Sequence, residues 1–221
     1  MQDGSGSFSL LALFQMGGAF MWPLLVFSVA TIALAVERTV YLLYHNLRLD
    51  DIRDVVEGYI REKNIPAAKE YLESIMRRRI GARTLLALVS RAGLSEHRIE
   101  KAVEAQAQST LTALENGFNF LTTLGSIAPL TGFLGTVSGM IGAFKSIAEA
   151  TEVNAQIVAN GIYEALITTV FGLIIAIIAV AAHSILSHVV DKFAAEIEKI
   201  CADFIAELAL ENSVEERNSS V

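Results

Sequence analysis

Charged residues are absent from three stretches of this chain, at 4–36, 116–144 and 165–190. Each is longer than the ~20 apolar residues with which a helix crosses ~30 Å of hydrocarbon. In the first stretch, Phe8, Leu10, Leu11, Leu13 and Phe14 are spaced as a short amphipathic helix suited to a membrane interface. Gly17 and Gly18 break it, and Trp22-Pro23 opens a span that ends at Glu37 and Arg38. Tyr41 and Tyr44 follow as interfacial aromatics. Beyond them the apolar positions keep a helical period, with no strand alternation. Ile52, Val55, Val56, Tyr59 and Ile60 predict a helix over 50–63. Pro66 suits the first turn of a helix over 66–79, and a third covers 81–91. Gly93 reads as a stop and Ser95 as the next N-cap, with no breaker before Gly117, so one helix is expected to run from Ser95 into the second span.

The pattern predicts an all-α membrane protein: three transmembrane helices and a large helical extension. The expected segments are an N-terminus with its interfacial helix at 1–18, spans at 19–44, 116–147 and 154–186, and a helical domain at 45–115. A short turn at 148–153 and a C-terminal helix and tail at 187–221 complete the chain, with 215–220 expected to be disordered.

Charge gives these segments sides. No Lys or Arg precedes residue 37, 13 fall within 37–119, and Lys145 stands alone between 120 and 186. By the positive-inside rule the N-terminus and the short turn lie outside, and the helical domain and C-terminus lie in the cytoplasm. The N-terminus has no basic residue ahead of its apolar run, so the first span is expected to be retained rather than removed as a signal peptide. The whole chain has 17 basic and 24 acidic residues and is 53% apolar, only modestly above a soluble protein, so it is the three uncharged stretches that exclude a soluble single-domain enzyme. The near balance of charge in 37–119 and the acidic tail give no nucleic-acid surface. Cys201 is the only cysteine, so no intrachain disulfide can form.

Two spans carry the candidate chemistry. In the second, Gly125, Ala128, Pro129, Gly132, Thr136, Gly139 and Ala143 share one helical face, and Gly135-x-x-x-Gly139 is a helix-contact pattern. Packing is the favoured reading of the glycines and alanines. Thr136 can bond its own i−4 carbonyl, so a second role is open. In the third span, Glu164 is the single charged residue between Glu152 and Asp191. If the helix starts near Asn154, Glu164 lies ~15 Å below the outer surface at ~1.5 Å per residue. A charge there costs at least ~2.5 kcal/mol, and desolvation favours its neutral form. If the helix starts near Gly161 instead, Glu164 sits at the interface. Thr168 follows one turn later on nearly the same face, and Thr169 is rotated from Glu164 by ~140°. Gly172, Ala176 and Ala179 continue the small residues.

His183 and His188 are five apart, without the spacing of a helical metal pair, and read as interfacial; His45 and His97 read as solvated. Arg77, Arg78 and Arg79 read as an exposed face, with contact to anionic headgroups as the sharper alternative. No phosphate-binding loop, nucleophile elbow or other catalytic constellation is present, and no cofactor is expected.

The chain resembles the MotA/TolQ/ExbB proton-channel family, in its ExbB/TolQ branch. Two segments carry the resemblance. Ala-Pro-Leu-Thr-Gly-Phe-Leu-Gly-Thr-Val-Ser-Gly-Met at 128–140 is similar to the family's Ala-Pro…Gly-Leu-x-Gly-Thr-Val-x-Gly pattern. Gly-Ile-Tyr-Glu-Ala-Leu-Ile-Thr-Thr-Val-Phe-Gly-Leu-Ile-Ile-Ala at 161–176 is similar to its Ile-x-Glu-Ala-Leu-x-x-Thr-Ala-x-Gly-Leu pattern. The resemblance puts the family's intramembrane glutamate on Glu164 and its span threonines on Thr136 and Thr169, a proton pathway, with Pro129, Gly132, Gly135, Gly139 and Gly172 in helix packing or the lumen wall. Val170 replaces the family's alanine and Ile178 its later proline, so the inner half of the third helix is expected to be straighter. The glutamate argues against a flagellar stator of MotA type.

The resemblance further implies a homopentameric ring in a bacterial inner membrane, around a dimer of a single-span, aspartate-bearing partner like ExbD or TolR. Proton flow would then energise a TonB- or TolA-like protein, for nutrient import or envelope maintenance. Membrane lipids are the other expected partner. The competing reading is a non-conducting scaffold, because residues 37–119 and 187–221 together outweigh the spans.

Overall fold

Every regular element of the computed structural model is an α-helix among the residues it describes, 14–149 and 155–219, the side chains of 155, 157–158 and 210–219 excepted. In chain order these are α1 (Met21–Tyr44), α2 (Asp50–Arg61), α3 (Ile65–Ile75), α4 (Gly81–Val89), α5 (Glu96–Glu115), α6 (Phe118–Glu149) and α7 (Ala155–Ser219). Three helical stretches are long and apolar enough to cross a membrane: Met21–Tyr44, Glu96–Glu149 and Ala159–Ala209. The expected interfacial helix falls on residues 8–14 and the turn on 148–153, largely outside the described residues.

The helix expected to run unbroken from Ser95 into the second span is two helices. Asn116 leaves helical geometry at φ −53°, ψ 130°, and Gly117 takes φ 90°, in the left-handed region that glycine enters at little cost. Ser95 does occupy the N-cap of α5, but its side chain makes no capping bond. At the C-terminus, α7 continues through Ser219, where disorder was expected. It also runs through Ile178 without interruption.

The chain packs as two units. One comprises Gly117–Ser184 with the described residues up to Glu37, and the other Arg38–Asn116 with the described residues from Ile185 onward.

The first unit contains most of α1, all of α6 and the first half of α7. Met21, Leu24, Ala128, Ile167 and Ile175 form its buried cluster, with Phe14, Phe27 and Phe171 packed against them. Phe14 also meets Trp22 edge-on at 5.2 Å. Most large side chains point away from this core: Val29, Ile32, Phe133, Ile141, Leu166, Val170 and Ile177 are all exposed. An apolar surface of that extent is stable only against lipid or other protein.

In the second unit, α2 to α5 pack each on the next, and the later part of α7 joins them. Ile52, Val56 and Ile60 of α2, Leu72 of α3, Leu85 and Leu88 of α4 and Ile99 of α5 are buried, as are Phe193, Ile197, Ile200 and Phe204 of α7. The local signals are visible one by one. Lys63 at φ 55° ends α2, and Asn64 caps α3 by accepting from the Ala67 N–H at 3.2 Å, with Pro66 in the first turn. Arg53 reaches Asp203 at 3.3 Å and Arg61 reaches Glu207 at 3.5 Å, pairing α2 with α7 at the surface. Arg79 pairs with Asp51 and donates to the Arg48 carbonyl at 2.7 Å. The Arg79 guanidinium holds the Asp51 carboxyl below the usual carboxylate range. His45, expected to be solvated, is half-buried: its Nδ1 lies 3.0 Å from the Tyr41 carbonyl oxygen.

Cys201 is buried in this core, and burial pushes its thiol up to about 12. The reactive thiolate is then about one part in ten thousand at pH 8. Cys201 in the folded protein will therefore fail to reduce Ellman's reagent at pH 8 over an hour, and will react stoichiometrically once SDS unfolds the chain. Rapid reaction of the folded protein contradicts the buried placement.

Candidate functional site

α6 and α7 approach each other through glycine. A Cβ on Gly132 would lie 2.7 Å from the Thr168 carbonyl oxygen and 3.1 Å from the Thr169 Cα. One on Gly172 would lie 2.6 Å from the Ala128 carbonyl oxygen, and one on Gly139 3.1 Å from that of Gly161. Neither backbone leaves room for a methyl group, so these positions let the helices touch. Gly135 makes room for a side chain instead: its Cβ would meet the Thr168 Oγ1 at 2.5 Å. Pro129 is half-buried inside α6, one turn before the Gly132 contact, and contributes no N–H to the helix.

This close approach gathers three hydroxyls on two carbonyls. Thr136 and Thr169 hydroxyls contact each other across the two helices. Thr136 Oγ1 is also 3.1 Å from the Ala165 carbonyl oxygen and 3.3 Å from that of Gly132, its own i−4 residue. Thr169 Oγ1 donates to the Gly132 carbonyl at 3.3 Å. Thr168, fully buried, reaches the Ala165 carbonyl at 2.8 Å and the Gly132 carbonyl at 3.2 Å. Each hydroxyl carries one proton, and Thr136 and Thr168 each have more than one acceptor within reach. Several bonding patterns therefore share one heavy-atom arrangement, and the protons can change partners with no atom moving far.

Glu164 does not join this cluster. It precedes Thr169 by five residues on α7, rotated by ~140° at ~100° per residue. Its half-buried carboxyl lies against the Gly17-Gly18 turn, where a Cβ on Gly18 would collide with Oε1. Gly18 has φ 66°, so both the space and the backbone conformation at this turn suit glycine. Of the two helix starts left open by hydropathy, the structure shows the earlier: α7 is already formed at Ala155, six residues ahead of Gly161.

Sequence reasoning thus named Thr136 and Thr169, which the structure brings together, and Glu164, which it keeps a turn and a half away. It missed two residues. By spacing Thr168 is only a neighbour of Glu164; its signal is the glycine pair Gly132 and Gly135, which open a seat for one more hydroxyl. Gly18 reads from the sequence as a helix breaker only. Among the described residues no cluster of three His, Cys, Asp or Glu side chains is placed to hold a metal ion. His183 stands edge-on to Phe118 at 5.9 Å.

Comparison with known proteins adds a second line. The sequence profile of the MotA/TolQ/ExbB proton channel family matches residues 67–199, which include every hydroxyl and glycine of the α6–α7 contact described above. The chain belongs to this family. A biopolymer transport protein exbB1 of Vibrio cholerae is 32% identical over 199 residues, covering 86% of this chain and 84% of that protein. An ExbB-like biopolymer transport protein of Synechocystis is 34% identical over 199 residues, covering 84% and 75%. The Tol-Pal system protein TolQ of Haemophilus influenzae is 41% identical over 87 residues, covering 39% and 38%. These relatives put the chain in the ExbB/TolQ branch, as the two motifs implied.

Proposed function

We propose that this chain is the ring-forming inner-membrane subunit of an ExbB–ExbD or TolQ–TolR type motor, a multi-pass protein with its N-terminus in the periplasm and its C-terminus in the cytoplasm. Five copies surround a dimer of a single-span partner, whose membrane aspartate carries protons past Glu164, Thr136 and Thr169. The resulting motion energises a TonB- or TolA-like protein that acts on the outer membrane. One charge crossing 100 mV releases ~2.3 kcal/mol, so a few protons suffice to drive a conformational cycle.

The observation that supports this reading best is the hydroxyl contact between Thr136 and Thr169, two positions that the family resemblance had assigned to the pathway. Hydroxyls with interchangeable acceptors are suited to passing protons in a narrow space. The shortage of carboxylates and free carbonyls in these helices makes H⁺ the expected ion rather than Na⁺. The glycines that hold α6 on α7 give the ring wall its thin, smooth section.

Proton uptake into proteoliposomes under an applied potential tests the proposal. Vesicles holding this chain together with its single-span partner will acidify, and vesicles holding either protein alone will not. Absence of uptake with both proteins present and assembled favours the non-conducting scaffold.

A further inference from the structure

Arg77, Arg78 and Arg79 have no part in the motor reading. They follow α3, and with Ser74 of that helix they line a cavity of about 800 Å³, a size that admits a small ligand. The other wall of this cavity is the end of α1: Leu43, 75% exposed, and Tyr44, 65% exposed. No acidic side chain lines it. Arg77 and Arg78 are exposed and, among the described residues, have no ion-pair partner. Arg79 is mostly buried; it points Nη2 at Asp51 and the Arg48 carbonyl, while its buried Nε–H has no acceptor. The two exposed guanidiniums of Arg77 and Arg78 match the oxygens of a phosphate group.

We propose that this cavity binds the phosphodiester headgroup of an anionic membrane phospholipid. Leu43 and Tyr44 decide for a lipid over a free phosphate. They continue the exposed apolar line from Val40 along α1, and so offer an acyl chain an apolar path beside the arginines. Aromatic residues at a span's end and a basic pocket beside them are how proteins meet the anionic inner leaflet. The assignment rests on reading α1 as a span that ends near Tyr44 on the cytoplasmic side.

Native mass spectrometry of the delipidated full chain in detergent, titrated with phosphatidylglycerol or phosphatidylcholine, tests it. The wild type will bind phosphatidylglycerol about thirtyfold more tightly than phosphatidylcholine, the scale of two arginines at a headgroup. The double variant Arg77→Gln/Arg78→Gln will lose that preference, while Arg91→Gln/Arg98→Gln, the same charge change elsewhere, will keep it. Unchanged melting of both variants shows that folding is not the cause. A preference that survives Arg77→Gln/Arg78→Gln, or that is lost equally in both variants, overturns the proposal. Displacement of phosphatidylglycerol by millimolar inorganic phosphate makes this a free-anion site and overturns the lipid assignment. Labelling of a Glu62→Cys variant by an impermeant maleimide in intact cells reports the sidedness separately: reaction from outside refutes the topology whatever the lipid result.

Discussion

If the chain works as the proposed motor subunit, Glu164→Ala will abolish energised transport while the ring still assembles. The carboxyl has no ion-pair partner among the described residues, and it touches the Gly17-Gly18 turn rather than the α6–α7 contact. Its removal therefore leaves the helix packing intact, and the oligomer will elute unchanged on size exclusion with its partner bound. Proton flux should fall by about a hundredfold or more, the effect of losing a positioned proton-transfer group. Glu164→Gln separates a need for proton exchange from a need for polarity alone. It keeps the polarity and the shape but cannot exchange a proton, so it should be as inactive as alanine. Wild-type flux in either variant would remove Glu164 from the pathway. Retained flux in the glutamine variant alone would reduce it to a polar spacer.

The second large effect is on stability, and its sign depends on which glycine is changed. Gly132→Ala places a methyl group 2.7 Å from the Thr168 carbonyl oxygen and against the Thr169 Cα, with backbone on both sides and nothing flexible to yield. Overpacking of this kind costs about 1–3 kcal/mol. The shift also disturbs the carbonyl on which Thr136, Thr168 and Thr169 converge, so flux should fall with stability. Gly132→Val should fail to accumulate as folded protein. Gly142→Ala is the internal control. Nothing lies within 4 Å of a Cβ at that position, and glycine inside a helix is disfavoured by about 0.5–1 kcal/mol relative to alanine. That variant should melt at or above the wild-type temperature in detergent. Equal melting temperatures for Gly132→Ala and Gly142→Ala would mean that α6 and α7 do not touch as described.

The difference between these two glycines shows what was legible in the sequence. Both lie in one charge-free stretch, and a helical wheel puts Gly132 on the small-residue face. The wheel does not say which neighbour that face meets, or how closely. The same holds for the hydroxyls. Thr168 and Thr169 are adjacent letters pointing in different directions, and the helical period puts only Thr168 on nearly the same face as Glu164. In the fold both threonines reach the Gly132 carbonyl, because the missing Cβ atoms bring α6 within hydroxyl range of two successive positions.

By itself, the sequence determined that the chain is helical, that three of its stretches are long and apolar enough to cross a membrane, and that Glu164 is the one charged residue between Glu152 and Asp191. Each of these follows from local properties: residue polarity, the 3.6-residue period, and the cost of a charge in hydrocarbon. Only the tertiary structure decided that the helix breaks at Gly117, that three hydroxyls converge on two carbonyls, that Gly18 faces Glu164, and that the arginine run meets the end of α1. Apart from the local turn at Asn116 and Gly117, these depend on contacts between residues far apart in the chain, set by how closely two backbones can approach, and no periodicity within a single helix encodes that distance.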